Sequence, residues 1–193
     1  MGSKNTIAED IISILPSGER LVDLFCGGCA ITHCAMLSGK WKKFLVNDID
    51  PRMPQTFIDA VGGKFADETR WISREDFHRL KDNDQFVRLC FSFGNNGQRY
   101  MYNKDREIYK RAAHHAIMFD DWSLLRGLVP ELATELEKKL DGMPLDNWSQ
   151  RDERRKAFTS MVRKEDKLYR MVNLTRLSRI ESLECLKKMM IQD

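Results

Sequence analysis

The segment from residue 20 to residue 36, RLVDLFCGGCAITHCAM, places two glycines between a run with strand character and a segment that can open a helix. A glycine turn there lets the backbone approach a ligand, and the helix that follows offers free N–H groups with positive dipole character. Asp48 follows Gly28 by about 20 positions, the spacing at which an acid accepts hydrogen bonds from the ribose hydroxyls of an adenosine group. The pattern favours a nucleotide-type site at Gly27, Gly28 and Asp48. The alternative is a tight turn, with Asp48 capping the next helix.

Cysteines on both sides of the glycines allow two other chemistries. Cys26 and Cys29 form a Cys-x-x-Cys pair at a helix start, where a redox protein acidifies its first thiol. His33 and Cys34 would complete a metal site, but a tetrahedral site normally takes its ligands from two separated segments. We favour a third interpretation, in which these cysteines are small packing residues.

Hydrophobic spacing predicts the elements that position these residues. Four elements form a helix followed by a β-α-β unit with short connections, and their predicted bounds are Thr6 to Leu15, Arg20 to Phe25, Ala30 to Leu37 and Lys43 to Val46. A further helix is expected between Pro51 and the glycine pair Gly62 and Gly63.

Composition indicates one domain, or one domain with a helical extension. The 193 residues are 42% apolar and 32% charged, and the sequence has no run of about 18 apolar residues that would span a membrane. The acidic residues near the N-terminus do not fit a signal peptide, and five cysteines do not fit a secreted disulfide framework. A cytoplasmic protein is therefore expected.

The positive charge is concentrated towards the C-terminus. Residues 151–193 contain twelve Lys or Arg against seven Asp or Glu, within a chain whose net charge is +3. This excess is compatible with a polyanionic partner, and equally with a solvated helical surface.

The second half of the chain is predicted to begin with a hairpin. Asn96-Gly97 lies between two aromatic-rich runs in FVRLCFSFGNNGQRYMY, which is a strong hairpin signal. Beyond Asp105 we expect mainly helices, with breaks near residues 127–130 and 141–144. In the tail, apolar residues recur at every third position, a spacing that does not stay on one face of an α-helix: Leu174, Leu177, Ile180, Leu183, Leu186 and Met189. We interpret this segment as helical, and the alternative is a short coil of repeated turns.

Three ordered motifs, MGSKNTIAEDIISILP, LVDLFCGGCAIT and LVNDIDP, resemble the opening of Dam-type (D12-class) DNA adenine N6-methyltransferases, which use S-adenosylmethionine. The resemblance implies that Gly2, Ser3 and Lys4 contact the cofactor and the active site, and that Asp48 binds the ribose. It assigns the turn on the methionine side to Asp23, Phe25, Cys26, Gly27 and Gly28. The family usually has a glycine where this chain has Cys29.

The same resemblance implies an α/β fold, with a partial Rossmann-like methyltransferase sheet in residues 1–84 and a mainly helical target-recognition region in residues 85–193. The segment FSFGNNGQRYMYNKDREIYKRAAHHAI is similar to the part of the family that precedes target recognition. On a hairpin, Arg99 and Lys104 would hold phosphate while Tyr100 and Tyr102 stack on a base. Contacts with double-stranded DNA are therefore expected from Asn96, Arg99, Tyr100, Tyr102 and Lys104. The alternative is that these aromatic residues pack into the core.

Members of this family carry an Asp-Pro-Pro-Tyr-type tetrapeptide that holds the flipped adenine. No two of the five prolines here are adjacent, so the tetrapeptide is absent from this sequence. We therefore expect no catalytic residue in this chain, no activity of the chain alone, and a longer enzyme of which it is the front part. A second chain or a homo-oligomer would then complete the sheet.

The other functional hypotheses are a non-catalytic nucleic-acid or partner-binding module and a thiol redox protein using Cys26 and Cys29.

Overall fold

The computed structural model describes residues 4–162, which form two compact units, residues 4–66 and residues 67–162. In the first unit a short 3-10 turn leads into helix α1, and the order of elements is then α1 (Ala8–Ile14), β1 (Gly18–Asp23), α2 (Ala30–Ser38), β2 (Trp41–Val46) and α3 (Arg52–Val61). These bounds agree with the predicted helix and β-α-β unit to within a few residues.

Strands β1 and β2 pair in parallel, with Leu21 opposite Phe44 and Asp23 opposite Val46. The face of this pair that carries Leu21 and Phe44 packs on helices α1 and α2 through Ile12 and Ala35, and the buried Trp41 at the start of β2 belongs to the same core cluster. Because side chains alternate along a strand, Val22 and Leu45 lie on the other face, where about half of each remains exposed. The structure thus contains a mixed helix and strand fold with a two-stranded parallel sheet within residues 4–162, consistent with part of a methyltransferase fold.

Helix ends in this unit are fixed by specific groups. Gly39 adopts a left-handed conformation (φ +67°) and ends α2, as its position in the sequence predicts. The ammonium group of Lys40 donates to the carbonyl oxygens of Ile12, Ser13 and Leu15, and so caps the C-terminal end of α1.

The second unit is helical. It contains α4 (Arg74–Leu80), α5 (Gln85–Cys90), α6 (Lys104–Phe119), α7 (Ser123–Leu128), α8 (Pro130–Leu140) and α9 (Trp148–Val162). Its buried side chains include Phe77, Ile117, Leu125, Leu136 and Phe158. The helix breaks near residues 127–130 and 141–144 are confirmed, whereas the break after Phe119, where Asp120 takes a left-handed conformation (φ 55°), was not predicted.

The predicted hairpin strands around Asn96-Gly97 are wrong. Residues 85–90 form helix α5, because the Asp84 carboxylate caps its first turn and Phe86 and Val87 are buried. The chain does reverse, through a single antiparallel bridge between Ser92 and Tyr100. Asn96 has a negative φ of −105°, so the two-residue type I′ turn that its sequence favours is not formed.

The two structural units divide between Ala66 and Asp67, whereas the sequence placed a functional boundary after residue 84. The assignment of a function to each part stays a prediction.

The apolar repeat between Leu174 and Met189 lies outside the described residues. Among residues 4–162, no helix combines the length and the apolar composition needed to cross a bilayer.

Candidate functional site

The carboxyl ends of β1 and β2 lie side by side, and the segments that follow them are joined at Gly27 and Asp48. The backbone N–H of Gly27 donates to Oδ2 of Asp48 over 2.8 Å. Oδ1 of the same carboxylate accepts from the N–H of Asp50 over 3.1 Å. The glycine turn and the acid that the sequence paired are therefore in direct contact.

Asn47 ties the same two segments together from the other side. Its N–H donates to the carbonyl oxygen of Asp23, and its own carbonyl oxygen accepts from the N–H of Cys26, each over 2.9 Å. Its side-chain amide donates to the carbonyl oxygen of Leu24 over 3.2 Å. With these bonds and the contact between Gly27 and Asp48, the turn has a defined shape before any ligand arrives.

The turn needs glycine at one position and leaves space at the next. Gly27 has a φ of +49°, a conformation that residues with a Cβ adopt at a cost. Gly28 is exposed, and a Cβ added to it would meet no atom within 4 Å. The backbone at Gly28 is thus open to close approach by a ligand.

Cys29, at the position where the resemblance led us to expect glycine, also has a left-handed conformation, with φ 56°. Its side chain is fully buried, and its N–H donates to the carbonyl oxygen of Cys26 over 2.7 Å. Because the sulfur points into the protein, it does not occupy the open surface at Gly28.

Neither thiol in this turn has the properties of an activated nucleophile. Burial raises the pKa of Cys26 and of Cys29 above the ordinary value of 9.0, and the negative charges of Asp23 and Asp48 raise both pKa values further. Within residues 4–162 there is no group of three or more His, Cys, Asp or Glu side chains placed to hold a metal ion. The geometry favours packing as the role of these cysteines.

The surface next to the turn is apolar. Phe25, which precedes the turn, is 88% exposed, and Ile49, which follows Asp48, is 99% exposed. Leu24 is also more than half exposed. Large apolar side chains exposed together next to oriented polar groups are a common feature of ligand sites.

Asp23, at the end of β1, contributes a second carboxylate. Its Oδ2 accepts a hydrogen bond of 2.7 Å from the hydroxyl of Thr32, a fully buried residue in the first turn of α2. Thr32 carries no distinctive signal in the sequence, because a threonine near a helix start has many ordinary explanations. Gly2 and Ser3 lie outside the described residues, and Lys4 is exposed in the 3-10 turn that precedes α1.

The residues assigned to DNA contact are divided between surface and core. Arg99 and Lys104 are exposed, and Asn96 is half-buried, with its Oδ1 accepting from the N–H of Gln98. Tyr100 is buried, and its hydroxyl donates to the carbonyl oxygen of Ile72 over 2.7 Å. Tyr102 stacks on Trp71, with ring centroids 5.8 Å apart. Both aromatic rings therefore have packing roles in this structure.

The model of the D12 class N6 adenine-specific DNA methyltransferase family matches residues 1–123. No curated protein and no solved structure matches the chain. The matched residues are more than half of the 193 and include the glycine turn, Asp48 and the loop that carries Arg99. This chain belongs to the D12 class N6 adenine-specific DNA methyltransferase family.

Proposed function

We propose that this chain binds S-adenosylmethionine at the glycine turn between β1 and α2 and contributes to methylation of adenine N6 in double-stranded DNA. Membership of the family supports the reaction class. The hydrogen bond between Gly27 and Asp48 is the observation that supports the site, since it fixes a carboxylate beside an open backbone turn at the ends of two parallel strands.

The residues present fit the adenosyl part of the cofactor. Each oxygen of the Asp48 carboxylate accepts one backbone N–H, and each has a further lone pair with which to accept from a ribose hydroxyl. The open space at Gly28 allows close approach of the backbone, and Phe25 and Ile49 offer apolar surface to the purine ring. The free N–H groups at the start of α2 add positive dipole character.

When bound, the cofactor supplies an electrophilic methyl group on its sulfonium sulfur. This chain binds and orients the cofactor. Asp48 holds the ribose, and Asp23 offers a carboxylate to the positively charged methionine end. Such positioning lowers the barrier by converting an encounter in solution into a reaction within a complex. Lys4, together with Gly2 and Ser3, is proposed to contact the cofactor and the active site, as the family resemblance implies.

The adenine-holding step is proposed to lie outside this chain. The sequence has no Asp-Pro-Pro-Tyr-type tetrapeptide, and no other residue here is assigned to the amino group of a flipped adenine. We therefore expect no methyl transfer by this chain alone. The exposed Val22 and Leu45 on the outer face of the sheet support a second chain or a second copy as the partner that covers this face.

DNA contact is proposed for the loop after α5 and for the start of α6. Arg99 and Lys104 are exposed and suited to phosphate contacts, and the 70% exposed Phe93 adds an apolar surface at the same loop. Asn96 shapes the loop, while Tyr100 and Tyr102 support it from within.

Titration calorimetry with S-adenosylhomocysteine tests the cofactor site. The unmodified chain should bind, and Asp48→Asn should weaken binding at least tenfold, because the amide keeps an acceptor for Gly27 but loses the charge and the second acceptor. Asp50→Ala is the matched control, since Asp50 forms a partly exposed ion pair with Arg52 and should leave the affinity unchanged. Equal affinities of the unmodified chain and Asp48→Asn would refute the site.

The same preparation separates the alternative functions. Binding to duplex DNA without any binding of S-adenosylhomocysteine would favour a non-catalytic nucleic-acid module. A low-potential Cys26–Cys29 pair with neither kind of binding would favour a thiol redox protein. Transfer of a labelled methyl group to DNA by this chain alone would refute its proposed inactivity.

A further inference from the structure

Thr32 has no assigned role in the site, yet it is in direct contact with one of its carboxylates. The hydroxyl of Thr32 donates to Oδ2 of Asp23 over 2.7 Å, and the Thr32 side chain is fully buried. This bond joins the end of β1 to the first turn of α2, on either side of the glycine turn. We propose that Thr32 is a positioning residue for the cofactor, which holds the Asp23 carboxylate in the orientation that receives the ammonium group of the methionine part.

The charge around Asp23 supports a cationic ligand. Within residues 4–162, Asp23 forms no ion pair with a lysine or arginine, although it is only partly exposed. The other Asp23 oxygen, Oδ1, accepts no hydrogen bond from the described residues. A carboxylate with one oxygen held and the other available is suited to a charge-assisted hydrogen bond from an ammonium group.

The two carboxylates of the site act on the same turn. The negative charges of both Asp23 and Asp48 raise the pKa values of Cys26 and Cys29, so both charges lie within electrostatic reach of the glycines between these thiols. A ligand with a ribose at one end and an ammonium group at the other matches this arrangement. The inference rests on the proposed function and extends it to the methionine end of the cofactor.

Fixing the carboxylate before binding reduces the cost of ordering it. A free aspartate side chain loses rotamer freedom when a ligand immobilises it, and that loss weakens binding. The Thr32 hydroxyl removes this freedom in advance. Valine has nearly the same shape as threonine but no hydroxyl, so Thr32→Val releases Asp23 while keeping the packing of α2.

The experiment is titration calorimetry with S-adenosylhomocysteine, which carries the same ammonium group. Thr32→Val should weaken binding about tenfold, the effect of losing one hydrogen bond to a charged group. Thr32→Ser keeps the hydroxyl and should bind within about twofold of the unmodified chain. In a chain that already carries Asp23→Asn, Thr32→Val should cause no further loss, because Thr32 acts through the carboxylate.

A control ligand separates positioning from general damage. The probe 5′-methylthioadenosine has the ribose and the purine but no ammonium group, so Thr32→Val should bind it as the unmodified chain does. Equal weakening for both ligands, an unchanged affinity for S-adenosylhomocysteine, or additive losses in the double variant would overturn the proposal. If Thr32→Val does not fold, as judged by thermal unfolding, Thr32→Ala provides the same comparison.

Failure of this inference is distinct from failure of the proposed function. If the unmodified chain does not bind S-adenosylhomocysteine, both are refuted. If the unmodified chain binds and Asp48→Asn does not, while Thr32→Val binds normally, the cofactor site stands and the role of Thr32 is refuted.

Discussion

The N–H of Gly27 and the carboxylate of Asp48 are joined by a hydrogen bond of 2.8 Å, although 21 positions separate them in the chain. Through this bond Asp48 helps to shape the turn, in addition to making the ligand contact proposed for its carboxylate. The shape of the turn and the position of the charge are therefore coupled. Substitutions in the turn must be chosen so that these two effects can be measured separately.

Gly28→Ala separates ligand contact from folding. A Cβ at Gly28 meets no atom within 4 Å, and Gly28 lacks the left-handed φ of its neighbour Gly27. The free energy of unfolding should thus change by less than about 0.5 kcal/mol. Affinity for S-adenosylhomocysteine should fall at least tenfold, because the methyl group occupies the surface that the cofactor approaches. Urea unfolding and calorimetry measure the two effects, and full affinity would contradict the proposed approach.

Gly27→Ala should show the opposite balance. Its φ of +49° is unfavourable for alanine, so we expect a loss of about 1 to 2 kcal/mol in the free energy of unfolding. A Cβ at this position also meets nothing within 4 Å, so the loss should come from backbone strain alone. Urea unfolding checks this, and stability equal to that of Gly28→Ala would show that the turn has relaxed to another conformation.

Local sequence signals predicted the first unit well and the loop of the second unit poorly. Gly39 and Pro51 stand at the ends of helices whose apolar spacing agrees with their caps, so local and tertiary preferences coincide there. Around Asn96-Gly97 the local sequence favours a hairpin, but the first predicted strand forms helix α5 instead. Capping by Asp84 and burial of Phe86 stabilise this helix. Tertiary contacts decide such conflicts, and a single sequence does not display them.

In the candidate site, too, the contacts that depend on tertiary packing could not be predicted from the sequence. The pairing of Gly27 with Asp48 was predictable, because parallel strands bring their carboxyl ends together at one edge of a sheet. The bond between Thr32 and Asp23 depends on how α2 packs against β1, which spacing does not specify. The burial of Tyr100 likewise depends on its contact with Ile72, 28 positions away in the chain.

Arg154 should be among the most important polar residues for the stability of the second unit. Its guanidinium is buried, pairs with Asp120, and donates to carbonyl oxygens at the C-terminal ends of α6 and α8, those of Ala116, Ile117 and Leu140. Arg154→Met leaves these buried carbonyls without donors, so we expect a loss of about 3 kcal/mol or more in the free energy of unfolding. Urea unfolding measures it.

Arg126→Met is the matched control for Arg154→Met. Arg126 forms an ion pair with Glu137, and about half of its side chain is exposed. Its replacement should cost less than about 1 kcal/mol. Losses of the same size for the two variants would show that the buried guanidinium contributes no more than a surface charge.

Lys110 should make the stability of the second unit depend on pH. Its side chain is buried in α6, its ammonium nitrogen has no hydrogen-bond partner among residues 4–162, and it lies over the ring of Tyr102 at 5.9 Å. Burial, together with the positive charge of Arg106, lowers the pKa of Lys110 from 10.5 to about 7. As the pH falls from 10.5 to 7, the unfolded chain binds a proton that the folded chain does not. The contribution of Lys110 to the free energy of unfolding should therefore decrease over this range and level off below about pH 7. Burial also lowers the pKa of His114 from 6.5 to about 4, which extends the loss of stability to lower pH.

Lys110→Met removes this dependence. The variant should be more stable than the unmodified chain at pH 6, by on the order of 3 kcal/mol, with a smaller difference at pH 10. Lys104→Met, at an exposed position on the same helix, should shift stability by less than about 0.5 kcal/mol at both pH values. Urea unfolding at the two pH values checks this, and a difference for Lys110→Met that is independent of pH would contradict it.

Cys26 and Cys29 should react slowly with alkylating reagents in the folded chain. The thiolate is the reactive form, and burial raises the pKa of both thiols, so the thiolate fraction at pH 7.5 is smaller than that of an ordinary cysteine. Mass spectrometry after timed exposure to iodoacetamide should show modification of both thiols at least tenfold slower in the folded chain than in urea. Protection should be greater for Cys29, which is fully buried, than for the slightly exposed Cys26. Labelling of Cys26 at or above the rate of the unfolded chain would instead indicate an acidified thiol and revive the redox hypothesis.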